Sequence, residues 1–234
     1  VRRNWDMHML AKSLNINGFN ITDNPNEIIK YKNYFFKKPT LLNINTNRLF
    51  WHSGAGKDSD VVFGVIIGTG VGGGVVVNKK ILQGRNNICG EWGHITLPNK
   101  TDDEKKYVNK CYCGKNGCIE TYLSGPGFSS SFNLRYSKDY DTHEIIKGCK
   151  ENDKDCREAI NRYIDHLARG LSIVCNILDP DIIILGGGMS NIDFIYEQID
   201  DAIKKYIFSD LFHTNIVKNM HGDSGGVRGA AWLS

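Results

Sequence analysis

Two short stretches constrain this chain more than any other: Gly90-Glu91-Trp92-Gly93-His94, and Cys111-Tyr112-Cys113-Gly114-Lys115-Asn116-Gly117-Cys118-Ile119-Glu120. One histidine and three cysteines, His94, Cys111, Cys113 and Cys118, fall within 25 residues. Soft thiolates plus one imidazole make the closed tetrahedral donor set that zinc prefers. Gly114 and Gly117 lie between the thiolates, where a tight knuckle needs residues tolerant of positive φ. Glu91 and Glu120 stand just outside the ligands, so a metal that fixes this backbone also fixes two carboxylates. The same cysteines could instead be ordinary buried thiols, or one disulfide with a thiol to spare. The C-x-C-x4-C spacing beside a G-x-x-G-C turn favours the metal.

The other cysteines, Cys89, Cys149, Cys156 and Cys175, are scattered through apolar or helical contexts and read as reduced structural thiols. Seven cysteines form no secreted disulfide framework, which points to a reducing intracellular compartment. The chain opens on Val1-Arg2-Arg3. That start fits a cytoplasmic product, or one left in an organellar matrix after a transit segment is removed. A net charge of +3 argues for neither nucleic acid nor a membrane surface. No apolar run approaches the roughly 18 residues of a membrane span.

Residues 1–60 are rich in Asn and Lys, whereas residues 61–234 are Gly-rich and read as regular α/β structure. Val61 to Ile67 predicts a strand, Gly68 to Gly74 a wide glycine turn, and Val75 to Val77 a returning strand. Residues 99–110 predict an exposed charged loop. Ile119 to Leu123 begins a helix that Ser124-Gly125-Pro126-Gly127 stops. Short and long helices are predicted over His143 to Cys149 and Asp155 to Leu178, the latter with an apolar stripe at 3–4 spacing. Asp181 to Leu185 reads as a covered strand ending in Gly186-Gly187-Gly188, at the end of a sheet where open α/β folds bind ligands. Asn191 to Ile207 reads as a further helix, His221 to Gly226 as a glycine loop, and Val227 to Leu233 as a closing helix. Three glycine loops suggest amides presented to phosphate or adenine, and carboxylates suit sugar hydroxyls. Together they are the equipment of a carbohydrate phosphotransferase.

With these residues the chain resembles the ROK family (repressor, open reading frame, kinase), and within it the bacterial fructokinase and N-acetylhexosamine kinase branch, with the fructokinase-like reading foremost. The resemblance is carried by Val65-Ile66-Ile67-Gly68-Thr69-Gly70, by the two stretches above, by Ile177 to Asn191, and by Gly222 to Leu233. It implies an α/β, actin/hexokinase-like ATPase fold, mainly the C-terminal lobe, over residues 61–234. A zinc-binding insertion would span 89–120, with zinc on His94, Cys111, Cys113 and Cys118. It implies sugar hydroxyls on Glu91, Glu120 and the free face of His94. It implies ATP phosphates near Gly68, Thr69, Gly70 and Gly72, and adenosine near Gly186, Gly187 and Gly188.

Residues 1–60 depart from the pattern and read as a divergent remnant of the N-terminal lobe or a docking segment. The family's D-x-G-G-T phosphate loop has no match there. Its Asn-Asp-x-Asn motif, whose Asp accepts the proton of the attacking hydroxyl, aligns so that Asn45 takes the Asp position. An amide is no base at neutral pH, and general-base catalysis is worth about 10²–10⁴-fold. Asp58 and Asp60 sit too close to the first strand to replace it. The expectation is therefore a fructokinase-like homologue that has lost activity and serves as a structural or interaction subunit, with other protein chains covering an exposed lobe face. The alternatives are an active ATP-dependent hexose (fructose) kinase, using ATP and Mg, and a sugar-binding sensor.

Overall fold

The computed structural model describes residues 54–220 and 222. Asn45, the glycines of the loop after His221 other than Gly222, and the closing helix expected over Val227 to Leu233 lie outside them. Five strands form one mixed sheet in the order β3-β2-β1-β4-β5: β1 (Val61–Ile67), β2 (Val71–Val77), β3 (Lys80–Ile81), β4 (Ile182–Gly186) and β5 (Asn215–Lys218). β1 pairs antiparallel with β2 and parallel with β4, which in turn runs parallel to β5. Asp181 ties the two parallel strands at their start, its carboxylate accepting from the amides of Asp60 and Val61 at 2.9 and 2.8 Å.

Side chains alternate across the sheet, as the pleat requires. Phe63, Val65, Ile67, Ile183 and Leu185 face the helical core, while Val62, Val76, Ile182 and Ile184 form a smaller cluster on the other face. The helices are α1 (Asp102–Lys106), α2 (Glu120–Leu123), α3 (Gly125–Tyr136), α4 (Thr142–Lys150), α5 (Lys154–Leu178) and α6 (Asp193–Lys204). α5 carries the stripe read from the sequence: Ala159, Ile160, Tyr163, Ile164, Leu167, Leu171 and Val174 are all buried. Asp153 caps its start through the Cys156 amide, and Asp179 ends it with φ 47°, followed by Pro180, which cannot continue a helix. The Tyr163 hydroxyl donates to Leu123 O at 2.9 Å and so pins the end of α2 to the middle of α5.

Three local expectations change. The glycine turn is only Gly68-Thr69-Gly70; Gly72, Gly73 and Gly74 belong to β2. They are strand residues because they pair with Ile66, Val65 and Gly64 of β1, and Gly73 must be glycine there: a Cβ would lie 2.7 Å from Phe63 and 2.9 Å from Trp92. Ser124-Gly125-Pro126-Gly127 ends α2 but also starts α3, with the Ser124 hydroxyl accepting from the Gly127 amide and Pro126 in the first turn. The stretch 99–110 contains α1, closed by a reciprocal capping box between Thr101 and Glu104. No described helix is long and apolar enough to cross a membrane.

Candidate active site and metal centre

The knuckle begins on the backbone of β2. Gly90 has φ 94°, and a Cβ there would lie 2.2 Å from Gly73 O; on Gly93 it would lie 2.2 Å from Val71 O. Both glycines of Gly90-Glu91-Trp92-Gly93-His94 are thus places where this segment rests directly against the strand. Trp92 locks the approach from the side. Its indole donates to Gly72 O at 2.9 Å, and its ring meets Phe63 edge-on at 6.0 Å. The chain leaves in a single 3₁₀ turn, Trp92–His94, that aims the imidazole outward.

The cysteines reach the same point from the opposite side. Ile119 N donates to Ile95 O and Leu97 N to Gly117 O, both at 2.9 Å, so the segment around Cys118 pairs with the one following His94. Between Cys111 and Cys118 the chain folds back with Gly114 at φ 89° and Gly117 at φ 71°. The ligand atoms of His94, Cys111, Cys113 and Cys118 all lie within 4.8 Å of one another. Cys113 Sγ to Cys118 Sγ is 3.6 Å, and Cys111 Sγ to His94 Nδ1 is 3.6 Å. Around a tetrahedral zinc with bonds of about 2.0–2.3 Å, ligand atoms sit about 3.5–3.8 Å apart. The donor set suits that ion, and these two pairs stand at that spacing. Burial raises the thiols of Cys111 and Cys118. They would need a cation's field to ionise at neutral pH, which makes metal uptake pH-dependent.

The two carboxylates flank this centre. Glu120 opens α2 and is buried. Its Oε2 accepts from the Val71 amide at 2.9 Å, at the end of the glycine turn. Its Oε1 lies 3.9 Å from Cys111 Sγ. One side chain therefore touches both the knuckle and the turn. Glu91 Oε1 is buried and has no hydrogen-bond partner among the described residues. Burial, and more weakly Glu120, raise the Glu91 carboxyl, against the pull of His94. Such an oxygen is costly unless something supplies a donor. Tyr112 stands in the same field: although its ring is largely exposed, loss of water around the hydroxyl, then the charges of Glu120, Cys111 and Glu91, push its phenol up to about 12.

The two other glycine sites meet at the carboxyl ends of neighbouring parallel strands. Gly68-Thr69-Gly70 follows β1, and Gly186-Gly187-Gly188 ends and follows β4. Gly187 has φ 83°, and a Cβ there would lie 2.5 Å from Ile67 O, so the two loops abut. Gly125 N donates to Gly68 O at 2.8 Å, fastening the first turn to the start of α3. Asp58 and Asp60 precede β1, at the far end of a seven-residue strand about 20 Å long. That placement agrees with reading neither as a base.

Sequence reasoning missed the group that holds the knuckle from behind. Glu104 on α1 accepts from His166 Nε2 at 2.8 Å and pairs with both terminal nitrogens of Arg169. Arg169 also donates to Pro98 O and Asn99 O at 3.2 and 3.0 Å. The segment linking His94 to Cys111 is thereby clamped onto α5. The signal was present as Thr101-x-x-Glu104, a capping-box pattern inside the charged stretch. Burial opposes ionisation of Glu104, but hydrogen bonds from His166, Arg169 and the Thr101 amide outweigh it and hold the carboxyl well below its usual range. Burial lowers His166 more than Glu104 raises it, so the imidazole stays neutral. Both shifts have one sign for stability. Glu104 contributes fully above its unfolded value of about 4.3, and His166 above about 6.5. Thermal melts should therefore be flat above about pH 7 and fall as pH drops towards 4. Glu104→Gln should flatten the limb below pH 5 and leave the one between 6.5 and 5.

Comparison with known proteins places this arrangement. The sequence pattern of the ROK family matches residues 33–234. The chain is similar to the N-acetyl-D-glucosamine kinase of Vibrio vulnificus strain YJ016, 39% identical over 182 residues, covering 76% of this chain and 60% of the relative. It is 40% identical over 179 residues to the N-acetyl-D-glucosamine kinase of Erwinia tasmaniensis, covering 74% of this chain and 58% of that one. The chain thus spans about 60% of the length of these curated relatives. Among solved structures, the ROK hexokinase from Thermus thermophilus superposes with a TM-score of 0.72 at 24% identity, over 82% of this chain and 63% of that one. The ROK family glucokinase from Streptomyces griseus, in complex with glucose and AMPPNP, gives 0.71 at 22% identity, over 82% and 66%. The fold is the α/β, actin/hexokinase-like ATPase fold of those proteins. With the family pattern over 202 of 234 residues (33 through 234), the chain belongs to the ROK family of sugar kinases and their relatives.

Proposed function

We propose that this chain is the larger part of an ATP-dependent sugar kinase, with N-acetylglucosamine as the leading substrate. The observation that carries the sugar site is the buried, unpartnered Oε1 of Glu91, set beside Glu120 and His94. A hydroxyl or amide N–H donor would satisfy it, and a pyranose offers several. The relatives named N-acetyl-D-glucosamine kinase support the amino sugar over the fructose expected from the sequence.

In this reading His94, Cys111, Cys113 and Cys118 hold zinc, whose role is structural: it fixes the directions of His94 and of the carboxylates on either side. Glu91 and Glu120 accept from sugar hydroxyls and fix which one faces the phosphate. The turn at Gly68-Thr69-Gly70 presents amides to the phosphates of ATP-Mg, and Gly186-Gly187-Gly188 receives the adenosine. Glu120, bonded to the Val71 amide, sets the distance between sugar and phosphate, and such positioning dominates phosphoryl transfer. Residues 61–234 act as the C-terminal lobe, and the family match reaching back to residue 33 supports part of residues 1–60 as a remnant of the N-terminal lobe.

The lost-activity reading rests on Asn45 and the absent phosphate loop, all within residues that the structure does not describe. Purified full chain with ATP-Mg and a hexose panel tests the kinase: ADP should appear fastest with N-acetylglucosamine. Calorimetric binding of that sugar without ADP release would return the chain to the inactive or sensor reading. No heat with any hexose would remove the sugar site.

A further inference from the structure

Tyr112 lies between two of the thiol ligands and is 71% exposed, yet its phenol oxygen stands 2.9 Å from His94 Nε2. The two rings meet edge-on with centroids 5.1 Å apart. Nδ1 of the same imidazole faces Cys111 Sγ. Were a cation held at Nδ1, Nε2 would keep the proton and donate to the phenol oxygen. The free face of His94, the one a sugar hydroxyl would use, is therefore taken by a side chain of the protein itself.

We propose that Tyr112 is a self-competing cap on the sugar site, displaced from His94 Nε2 when a sugar hydroxyl takes its place. The proposal rests on the sugar reading above. An exposed tyrosine held by one hydrogen bond and one ring edge is weakly held, because the bond is traded against water when it breaks. A sugar with a hydroxyl placed to accept from Nε2 replaces that bond as it displaces the ring. A sugar lacking it leaves the imidazole unpaired if the cap moves, or clashes with the phenol if it does not. Every sugar that must move the ring meets the same cost, so Tyr112 lowers sugar affinity to the fraction of time that Nε2 stands free.

Calorimetry of the zinc-loaded full chain with N-acetylglucosamine tests this, comparing wild type with Tyr112→Phe, which keeps the ring and removes the competing oxygen. The variant should bind about 3–10-fold more tightly, by a similar factor for each sugar that moves the ring, with zinc content unchanged. Equal or weaker binding by Tyr112→Phe would overturn the cap while leaving the sugar site standing. Binding by neither protein would remove the sugar site, and the cap with it. A second readout is structural: the magnetic contact between the Tyr112 and His94 rings should vanish at saturating sugar, and its persistence would overturn displacement.

Discussion

Cys118→Ser should strip the metal from the purified chain and lower its melting temperature by about 5 °C or more, with loss of sugar binding in the same sample. Cys118 is fully buried, and its segment pairs with the strand-like stretch after His94. A serine oxygen is a poor substitute for a thiolate at a zinc site. Without the cation, four polar ligand groups are left within 4.8 Å of each other with little to hold them there. Two positive-φ glycines also lose their constraint. A destabilisation of about 2–4 kcal/mol is a modest share of what a structural zinc supplies, and at this chain length it moves the midpoint by roughly 5–15 °C. Metal analysis and a thermal melt on the same preparation check it. If wild-type chain carries well under one zinc and a chelator leaves the melt unchanged, the thiols are ordinary buried cysteines after all. Cys175→Ser is the control. That thiol is pushed up to about 12 chiefly by burial, lies away from the ligands on α5, and should cost packing without touching metal content.

What could be read from the sequence follows from what local chemistry specifies. The clustering of His94, Cys111, Cys113 and Cys118 was legible because residue types that suit zinc stand there at short spacing. α5 was legible because its stripe repeats over seven turns, and one misread residue cannot hide such a pattern. β4 was legible as an unbroken apolar run covered on both faces. Gly72 to Gly74 were misread because glycine's commonest role is in turns. What keeps them in β2 is pairing with β1, and what admits only glycine at Gly73 is the bulk of Phe63 and Trp92, contacts across 10 and 19 residues that a short local window does not contain. β5 was missed because its four residues, Asn215–Lys218, are paired to β4 along one edge only and carry almost no alternation of their own. α1 and the Glu104 clamp were missed because a run of charges hides a buried acid. Only the spacing of Thr101 to Glu104 distinguishes a cap from a solvated loop. The Tyr112 cap had no sequence signal, since it depends on which nitrogen of His94 faces the cysteines.

Glu120→Ala and Glu120→Gln should separate the two tasks of the residue that joins knuckle and glycine turn. Glu120 is buried, and its Oε2 accepts from the Val71 amide. Removing the side chain leaves that N–H with no partner behind the turn, and a stranded buried donor costs about 1–3 kcal/mol. Glu120→Ala should therefore lower stability by that amount, and it should also remove a charged acceptor for the sugar. Hydrogen bonds to charged groups are worth about 1.5–3 kcal/mol, which is roughly 10–150-fold in affinity. Glu120→Gln keeps an acceptor oxygen that can serve Val71 and is nearly the same size. It should melt within about 1 kcal/mol of wild type while still losing most of the sugar affinity. Chemical denaturation and calorimetry with N-acetylglucosamine read the two effects independently. The pattern that matters is the split: if Glu120→Gln binds sugar like wild type while Glu120→Ala does not, the carboxylate serves the turn alone. Glu91, with its unpartnered oxygen, would then carry the sugar by itself. If both variants lose sugar and only Glu120→Ala loses stability, one buried carboxylate is binding substrate and spacing the phosphate turn together. A knuckle built only for stability has no reason to reach the turn at Val71.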